Sequence, residues 1–145
     1  MKQGTPMPII RAAVLLLLAV LPAVIAAPVQ AQYTWSEVNT ATDPTARLGH
    51  GMTFNSTTGQ AVIFGGEDEN TTLLSSVHTY NGTDWTTVTT SGATVQPRRY
   101  APIVYDAARD NILLFGGQRL AGAAAQTFTL SGTTWTSHAV TQPSA

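Results

Sequence analysis

The side chains best suited to chemistry in this chain are its three histidines, His50, His78 and His138. They form no H-x-x-x-H or H-x-x-E pattern, so the close spacing of zinc ligands is missing. The 145 residues include no cysteine, which excludes a thiol nucleophile and a cysteine-ligated metal. We therefore interpret the histidines as hydrogen-bonded structural residues, and we predict no catalytic residue, no metal and no cofactor.

An acidic cluster and two glycine pairs could bind ions. The cluster Glu67-Asp68-Glu69-Asn70 offers oxygen ligands but lacks the D-x-[DN]-x-[DN]-G pattern of a calcium loop, which favours a solvated loop. Gly65-Gly66 and Gly116-Gly117 have neither a G-x-G-x-x-G pattern nor a Walker lysine, which favours structural turns. No serine lies in a G-x-S-x-G motif, so the sequence does not predict a hydrolase of that type.

The charge of the chain is low and evenly spread. Seven basic and eight acidic residues give a net charge of -1, and charged residues make up 10% of the sequence. That fraction is well below the roughly 25% of an average soluble domain. Because the basic residues form no patch, we predict no nucleic-acid partner.

The N-terminal residues resemble a secretory signal peptide. Lys2 and Arg11 precede an apolar run over residues 12–27, and small side chains flank a cleavage point after Ala31. The alternative is an uncleaved membrane anchor, but the run is shorter than the roughly 20 residues that a spanning helix needs, and Pro22 interrupts it. We therefore predict cleavage after Ala31, no stable membrane span and a secreted or periplasmic protein.

From residue 47 onward the chain repeats itself at a distance of 51 residues. Residues 47–66 read R-L-G-H-G-M-T-F-N-S-T-T-G-Q-A-V-I-F-G-G, and residues 98–117 read R-R-Y-A-P-I-V-Y-D-A-A-R-D-N-I-L-L-F-G-G. Trp35, Trp85 and Trp135 follow one another at intervals of 50 residues. A fixed period of this length indicates a repeat architecture. Residues around Trp35 are then the tail of an earlier unit.

Each unit predicts four β-strands. In the first unit these cover residues 49–54, 61–64, 76–80 and 85–89, separated by turn-forming clusters. The second unit repeats the order, with Asp110 in place of Gly59 at a turn that requires a left-handed backbone. Pro102 falls within its first predicted strand, which fits only a strand with one edge free of hydrogen bonds.

A glycine pair after an apolar strand, followed by a tryptophan at this period, resembles the kelch repeat of bacterial secreted proteins. The resemblance implies an all-β fold with two four-stranded antiparallel kelch blades of a β-propeller. Departures are Ala101 in place of His50, Leu130 in place of Tyr80, and an alanine run over residues 123–125. The structural markers of the two units are Gly65, Gly66, Trp85, Gly116, Gly117 and Trp135.

These assignments divide the chain into four parts. They are a signal peptide over 1–31, a leading strand and linker over 32–46, kelch repeat 1 over 47–96 and kelch repeat 2 over 97–145. A propeller typically has four to eight blades, so two blades leave outer faces exposed. Three alternatives follow: part of a longer propeller, self-association that completes one, or an open pair of blades. The leading strand over 33–38 favours the first, because it has no vacant place in a self-assembled ring.

The resemblance implies that one loop face of the blades binds partners. We predict a non-catalytic module for protein or glycan recognition, with a binding face formed by Glu67, Asp68, Glu69, Arg98, Arg99, Gln118 and Arg119. One alternative is the N-terminal part of a kelch-propeller enzyme acting on carbohydrate, and another is a structural or vestigial repeat protein. The copper oxidases among secreted kelch propellers use a tyrosine joined to cysteine, so the lack of cysteine closes that route. The recurring tryptophans favour packing between blades over sugar stacking.

Overall fold

The computed structural model describes residues 34–139, and every regular element in this range is a β-strand. The all-β prediction is therefore confirmed. No helix in the described range is long and apolar enough to cross a membrane. Residues from Ser36 onward belong to one compact unit, whereas the unit that ends at Trp35 lies almost wholly outside the described residues, as does the predicted signal peptide.

Sheet 1 is a four-stranded antiparallel sheet, as predicted for the first repeat. Asn55 closes its first turn by accepting hydrogen bonds from the backbone N–H groups of Thr57 and Thr58, each at 3.0 Å. Asn81 closes the third turn in the same way. Such side-chain caps explain why asparagine favours turns. In chain order the strands are β1 (Gly51–Asn55), β2 (Gln60–Phe64), β3 (Val77–Tyr80) and β4 (Trp85–Val88).

Sheet 2 has five strands, which corrects the four predicted for the second repeat. A short strand, β5, runs parallel to the last strand and pairs Ser91 with Thr134 and Gly92 with Trp135. Sheet 2 therefore begins before residue 97, the predicted start of repeat 2. Between its second and third long strands lies a small separate hairpin. The bounds are β5 (Ser91–Gly92), β6 (Ile103–Asp106), β7 (Asn111–Phe115), β8 (Gln118–Arg119), β9 (Gly122–Ala123), β10 (Thr127–Ser131) and β11 (Thr134–His138).

Two local predictions differ from the structure. Pro102 lies immediately before β6 rather than inside it, where its missing N–H removes no bond from the ladder. Residues 34–46 contain no strand, so the leading strand predicted over 33–38 does not form in the described part of that segment. Thr42 instead donates its backbone N–H to the carboxylate of Asp84 at 2.9 Å, which ties this segment to the edge of sheet 1.

The hydrophobic core lies between the two sheets. The covered face of sheet 1, formed by Val62, Phe64 and Val77, packs against sheet 2. Phe64 meets Trp135 edge to face, with ring centroids 5.6 Å apart. Each large apolar side chain buried in this way contributes about 1.5–3 kcal/mol. The covered face of sheet 2 consists of Ile103, Tyr105, Ile112, Leu114, Phe128, Leu130 and Trp135.

The glycine pairs end β2 and β7 with a backbone that other residues rarely adopt. Gly65, Gly66, Gly116 and Gly117 all have positive φ. A Cβ at Gly66 would lie 2.8 Å from the carbonyl oxygen of Leu48, so close approach of two backbones also requires glycine there. These turns lead the chain from each sheet into the loops on one side of the two sheets.

Candidate functional site

Three loop segments meet on one side of the two sheets and form a groove. The backbone N–H of Arg98 donates to the carbonyl of Leu74 at 3.0 Å, which joins the segment before β6 to the loop after β2. Glu67 of that loop also forms a bridge with Leu48, and Arg99 pairs with Gln118 of the hairpin. Arg99 and Gln118 exchange both backbone hydrogen bonds, at 2.8 and 3.0 Å. The loop after β2, the segment before β6 and the β8–β9 hairpin are thereby held in a fixed arrangement.

An ion pair crosses the groove between the two repeats. The guanidinium of Arg99 donates to the carboxylate of Glu67, which is only 8% exposed. The Nε of Arg99 donates to Oε1 of Gln118 at 3.0 Å. The structure therefore brings together three of the predicted binding residues, and it uses their polar groups to fasten one repeat to the other.

Arg119 forms no ion pair among residues 34–139. The ion pairs of residues 34–139 are Arg99 with Glu67 and Arg109 with Asp106. The Nε of Arg119 is buried and has no hydrogen-bond partner among the described residues. A buried polar group without a partner costs about 1–3 kcal/mol. The residue as a whole is only partly buried, so an acidic group from outside would pair with the charge that the described residues leave unpaired.

Two adjoining clefts surround Arg119. One has a volume of about 260 Å³ and lies beside the Glu67–Arg99 pair, and the other has a volume of about 560 Å³ and extends towards Gln96 and Pro97. Leu120 is 92% exposed at their junction. We call the combined space the Arg119 groove, and the residues that both clefts share are Thr71, Leu73, Arg119 and Leu120.

Asp68 and Glu69 lie on the loop beside the groove but do not line it. Oδ1 of Asp68 accepts backbone hydrogen bonds from Asn70 at 2.9 Å and Thr72 at 2.8 Å, which organises the loop. Glu69 is exposed to solvent. The acidic cluster therefore has one member in an ion pair, one that organises the loop and one in solvent.

Arg98 is the predicted binding residue that the structure removes from the surface. Its side chain is 0% exposed. It donates to the carbonyls of Gln96 and Gly116, both at 2.9 Å, and to the side chain of Gln126 at 3.1 Å. Burial lowers the pKa of Arg98, and the nearby charge of Arg119 lowers it further. Arg98 is unavailable to a partner, and substituting it would damage the fold rather than only the loop face.

Sequence reasoning missed the apolar and small polar residues that line the groove. Leu73, Thr71 and Leu120 belong to loops, where no periodic pattern marks them. The one available signal was Leu120, an apolar residue next to a charged one in a turn region, since a large exposed apolar side chain can mark a contact surface.

Of the three histidines, His78 is buried and hydrogen-bonded as interpreted from the sequence, whereas His50 and His138 are exposed. The Nε2 of His78 lies 3.1 Å from the Arg47 guanidinium, which can only donate, so this nitrogen accepts. Nδ1 then carries the proton and donates to Thr87 at 3.1 Å. Burial lowers the pKa of His78, and the charge of Arg47 lowers it further. Among residues 34–139 no group of three or more His, Asp or Glu side chains could hold a metal ion.

The three tryptophans Trp35, Trp85 and Trp135 all lie in the described range and differ in burial, and Trp35 is exposed to solvent. Trp135 is 4% exposed within the core, whereas Trp85 is half-buried and stacks at a tilt against Tyr80, with centroids 5.1 Å apart. The difference arises because sheet 2 covers one face of sheet 1, while Trp85 lies on the other face.

Comparison with known proteins adds no assignment. The chain matches no protein-family model, and no curated protein sequence is significantly similar to it.

Proposed function

We propose that this chain is a secreted, non-catalytic binding module built from kelch-type β-propeller blades, and that it holds a protein partner in the Arg119 groove. The internal repeat, the glycine pairs after β2 and β7 and the face-to-face packing of two antiparallel sheets support the blade assignment. The signal-peptide pattern before Ala31 supports secretion.

The observation that carries the binding proposal is the unpaired guanidinium of Arg119 beside the exposed side chain of Leu120. Arginine binds a carboxylate through two parallel hydrogen bonds, and an apolar neighbour adds contact area. The groove therefore suits a segment in which an acidic side chain stands next to an apolar one. The Glu67–Arg99 pair keeps the groove walls rigid, which lowers the entropy cost of binding.

A protein segment fits this groove better than a glycan. Sugar sites typically offer an aromatic ring for stacking, and no aromatic residue lines either cleft. Apolar contact comes instead from Leu73, Leu120 and Pro97, which suits aliphatic side chains.

The test is an array of short random peptides probed with the full chain, followed by affinity measurements on the best binders. We expect selected peptides to combine Asp or Glu with an adjacent aliphatic residue. Arg119→Gln should weaken their binding by about 10-fold or more, since one charge-assisted contact contributes about 1.5–3 kcal/mol. The control Arg109→Gln removes an exposed arginine outside the groove and should leave the affinity unchanged.

The proposal is wrong if no peptide class is selected, or if Arg119→Gln binds as tightly as the parent chain. Selective binding of acidic oligosaccharides, lost in the same variant, would assign the groove to glycans instead.

A further inference from the structure

The second sheet leaves an apolar face uncovered. Val104, Leu113 and Phe115 are 55%, 37% and 51% exposed, although all three belong to the long strands β6 and β7. Val104 pairs directly with Leu113, and Phe115 lies two residues further along the same strand, so the three side chains project from one face. We call this surface the free face of sheet 2.

The equivalent positions in the first repeat show what covers such a face. At an offset of 51 residues, Leu113 corresponds to Val62 and Phe115 corresponds to Phe64. Val62 and Phe64 are 4% and 1% exposed because the covered face of sheet 2 lies on them. The same two positions are therefore apolar in both repeats but buried in only one of them.

A copy of the required partner surface is present on the opposite side of sheet 1. Phe64 packs on Trp135, and the repeat equivalent of Trp135 is Trp85. Met52 and Phe54 occupy the places of Ile103 and Tyr105, and each is 59% exposed. We call the surface formed by Met52, Phe54, Tyr80 and Trp85 the free face of sheet 1.

The equivalence extends to the edge of the sheets. In sheet 2, the backbone N–H of Ala93 donates to the carbonyl of Trp135 at 2.8 Å. In sheet 1, the hydroxyl of Thr42 donates to the carbonyl of Trp85, at the matching position of the repeat. The segment before each repeat thus contacts the carbonyl of the tryptophan, through a backbone N–H beside the paired strand β5 in sheet 2 and through a threonine hydroxyl, without a strand, in sheet 1. The free face of sheet 1 therefore resembles at this edge a surface that already binds a sheet.

We propose that a second copy of this chain docks head to tail, with the free face of sheet 2 in one copy packed on the free face of sheet 1 in the next. The contact would repeat the packing between the two sheets of a single chain, with Phe115 of one copy in the place of Phe64 and Trp85 of the next in the place of Trp135. None of the seven named side chains carries a charge. Asp106, which is paired with Arg109, projects from the same face of sheet 2, and Arg47 contacts His78 on the same face of sheet 1. Docking would bury Arg47 as its repeat equivalent Arg98 is already buried, with its hydrogen bonds to the chain retained. Because the two surfaces differ, the contact is heterologous and leads to a ring or an open chain of copies.

The test uses the full chain, expressed in a bacterial host, with its N-terminus read by mass spectrometry and its mass in solution measured by sedimentation. We expect the parent chain to form a multimer. Phe115→Glu, which damages one free face, and Met52→Glu, which damages the other, should each sediment as a monomer. Far-UV spectra and urea midpoints verify that both variants are folded, and Val104→Glu is a second variant for the first face.

Mixing Phe115→Glu with Met52→Glu tests whether the contact between copies is head to tail. Each retains one intact face, so an equimolar mixture should form a one-to-one heterodimer and stop there. The control Leu120→Glu changes a more exposed apolar residue in the Arg119 groove and should leave the multimer intact while affecting peptide binding.

A monomeric parent chain would overturn the proposal, and so would a mixture that stays monomeric. A dimer formed by either single variant alone would show a symmetric contact through one face and would equally refute head-to-tail docking. None of these outcomes depends on whether the Arg119 groove binds peptides.

Discussion

Arg47 and Arg98 occupy the same place in the two repeats, and their substitution should cost different amounts of stability. Arg47 donates its Nη1 to the carbonyl of Gly65 at 3.1 Å, and Arg98 donates the same atom to the carbonyl of Gly116 at 2.9 Å. The Nε of each donates to the carbonyl two residues before it. The contacts match, but Arg98 is fully buried whereas Arg47 is only partly buried.

Burial therefore sets the cost of truncation. Arg98→Ala leaves the buried Gly116 carbonyl without this donor, which destabilises the fold by about 1–3 kcal/mol. The cavity that opens destabilises it by about 2 kcal/mol or more in addition. We expect a total loss of about 3–5 kcal/mol in the free energy of unfolding. Arg47→Ala opens a site that water can enter, and this water replaces the lost donors. We therefore expect the free energy of unfolding to fall by about 1–2 kcal/mol.

Urea unfolding of the full chain, followed by far-UV spectroscopy, measures both losses. With a urea slope of about 1–2 kcal/mol per molar, the midpoints of the two variants should differ by about 1–2 M. Arg98→Met retains much of the volume without the donors and should fall between Arg98→Ala and the parent chain. Equal losses for the two alanine variants, or a larger loss for Arg47→Ala, would refute the argument from burial.

Two further predictions concern His78 and the glycine turns. Burial and the nearby guanidinium lower the pKa of His78 below its unfolded value of 6.5. The unfolded chain therefore binds more protons at this residue than the folded chain does. The contribution of His78 to the free energy of unfolding is fully present above about pH 6.5 and is lost as the pH falls. Urea midpoints measured between pH 7.5 and 5 should show this dependence, and His78→Gln should reduce it. An unchanged dependence in His78→Gln would contradict the prediction. Gly66→Ala should destabilise the fold by at least about 1 kcal/mol more than Gly59→Ala, because both positions have positive φ but only Gly66 faces a backbone oxygen. Thermal melting measures the difference in stability between the two variants. Equal losses of stability would show that the positive φ alone, and not the nearby backbone oxygen, sets the cost of the substitution.

The local elements could be predicted from the sequence because their signals are local. The alternation and turn residues of the first repeat gave the four strands of sheet 1 to within about two residues. Asp110 has a φ of 49°, the left-handed backbone predicted because this residue is the repeat equivalent of Gly59. These features depend on a few neighbouring residues, so no long-range contact was needed to infer them.

The remaining features depend on contacts between distant residues. Nothing in Ser91-Gly92 marks a strand, because its pairing with β11 comes from the placement of the second sheet. Arg98 and Arg99 are adjacent in sequence, yet the first is buried behind the glycine turn and the second crosses the groove to Glu67. Sequence alone marked both as surface charges, since arginine is usually exposed.

The position of β5 has a consequence for how the chain unfolds. Val88 ends the last strand of sheet 1, and three residues later Ser91 begins the outer edge of sheet 2. A cut at the repeat boundary would therefore deprive sheet 2 of an edge strand, while sheet 1 would lose the surface that buries Val62 and Phe64. Neither half is a self-sufficient folding unit, and the two repeats should lose their structure in one cooperative transition, at a single temperature and with coincident spectroscopic signals.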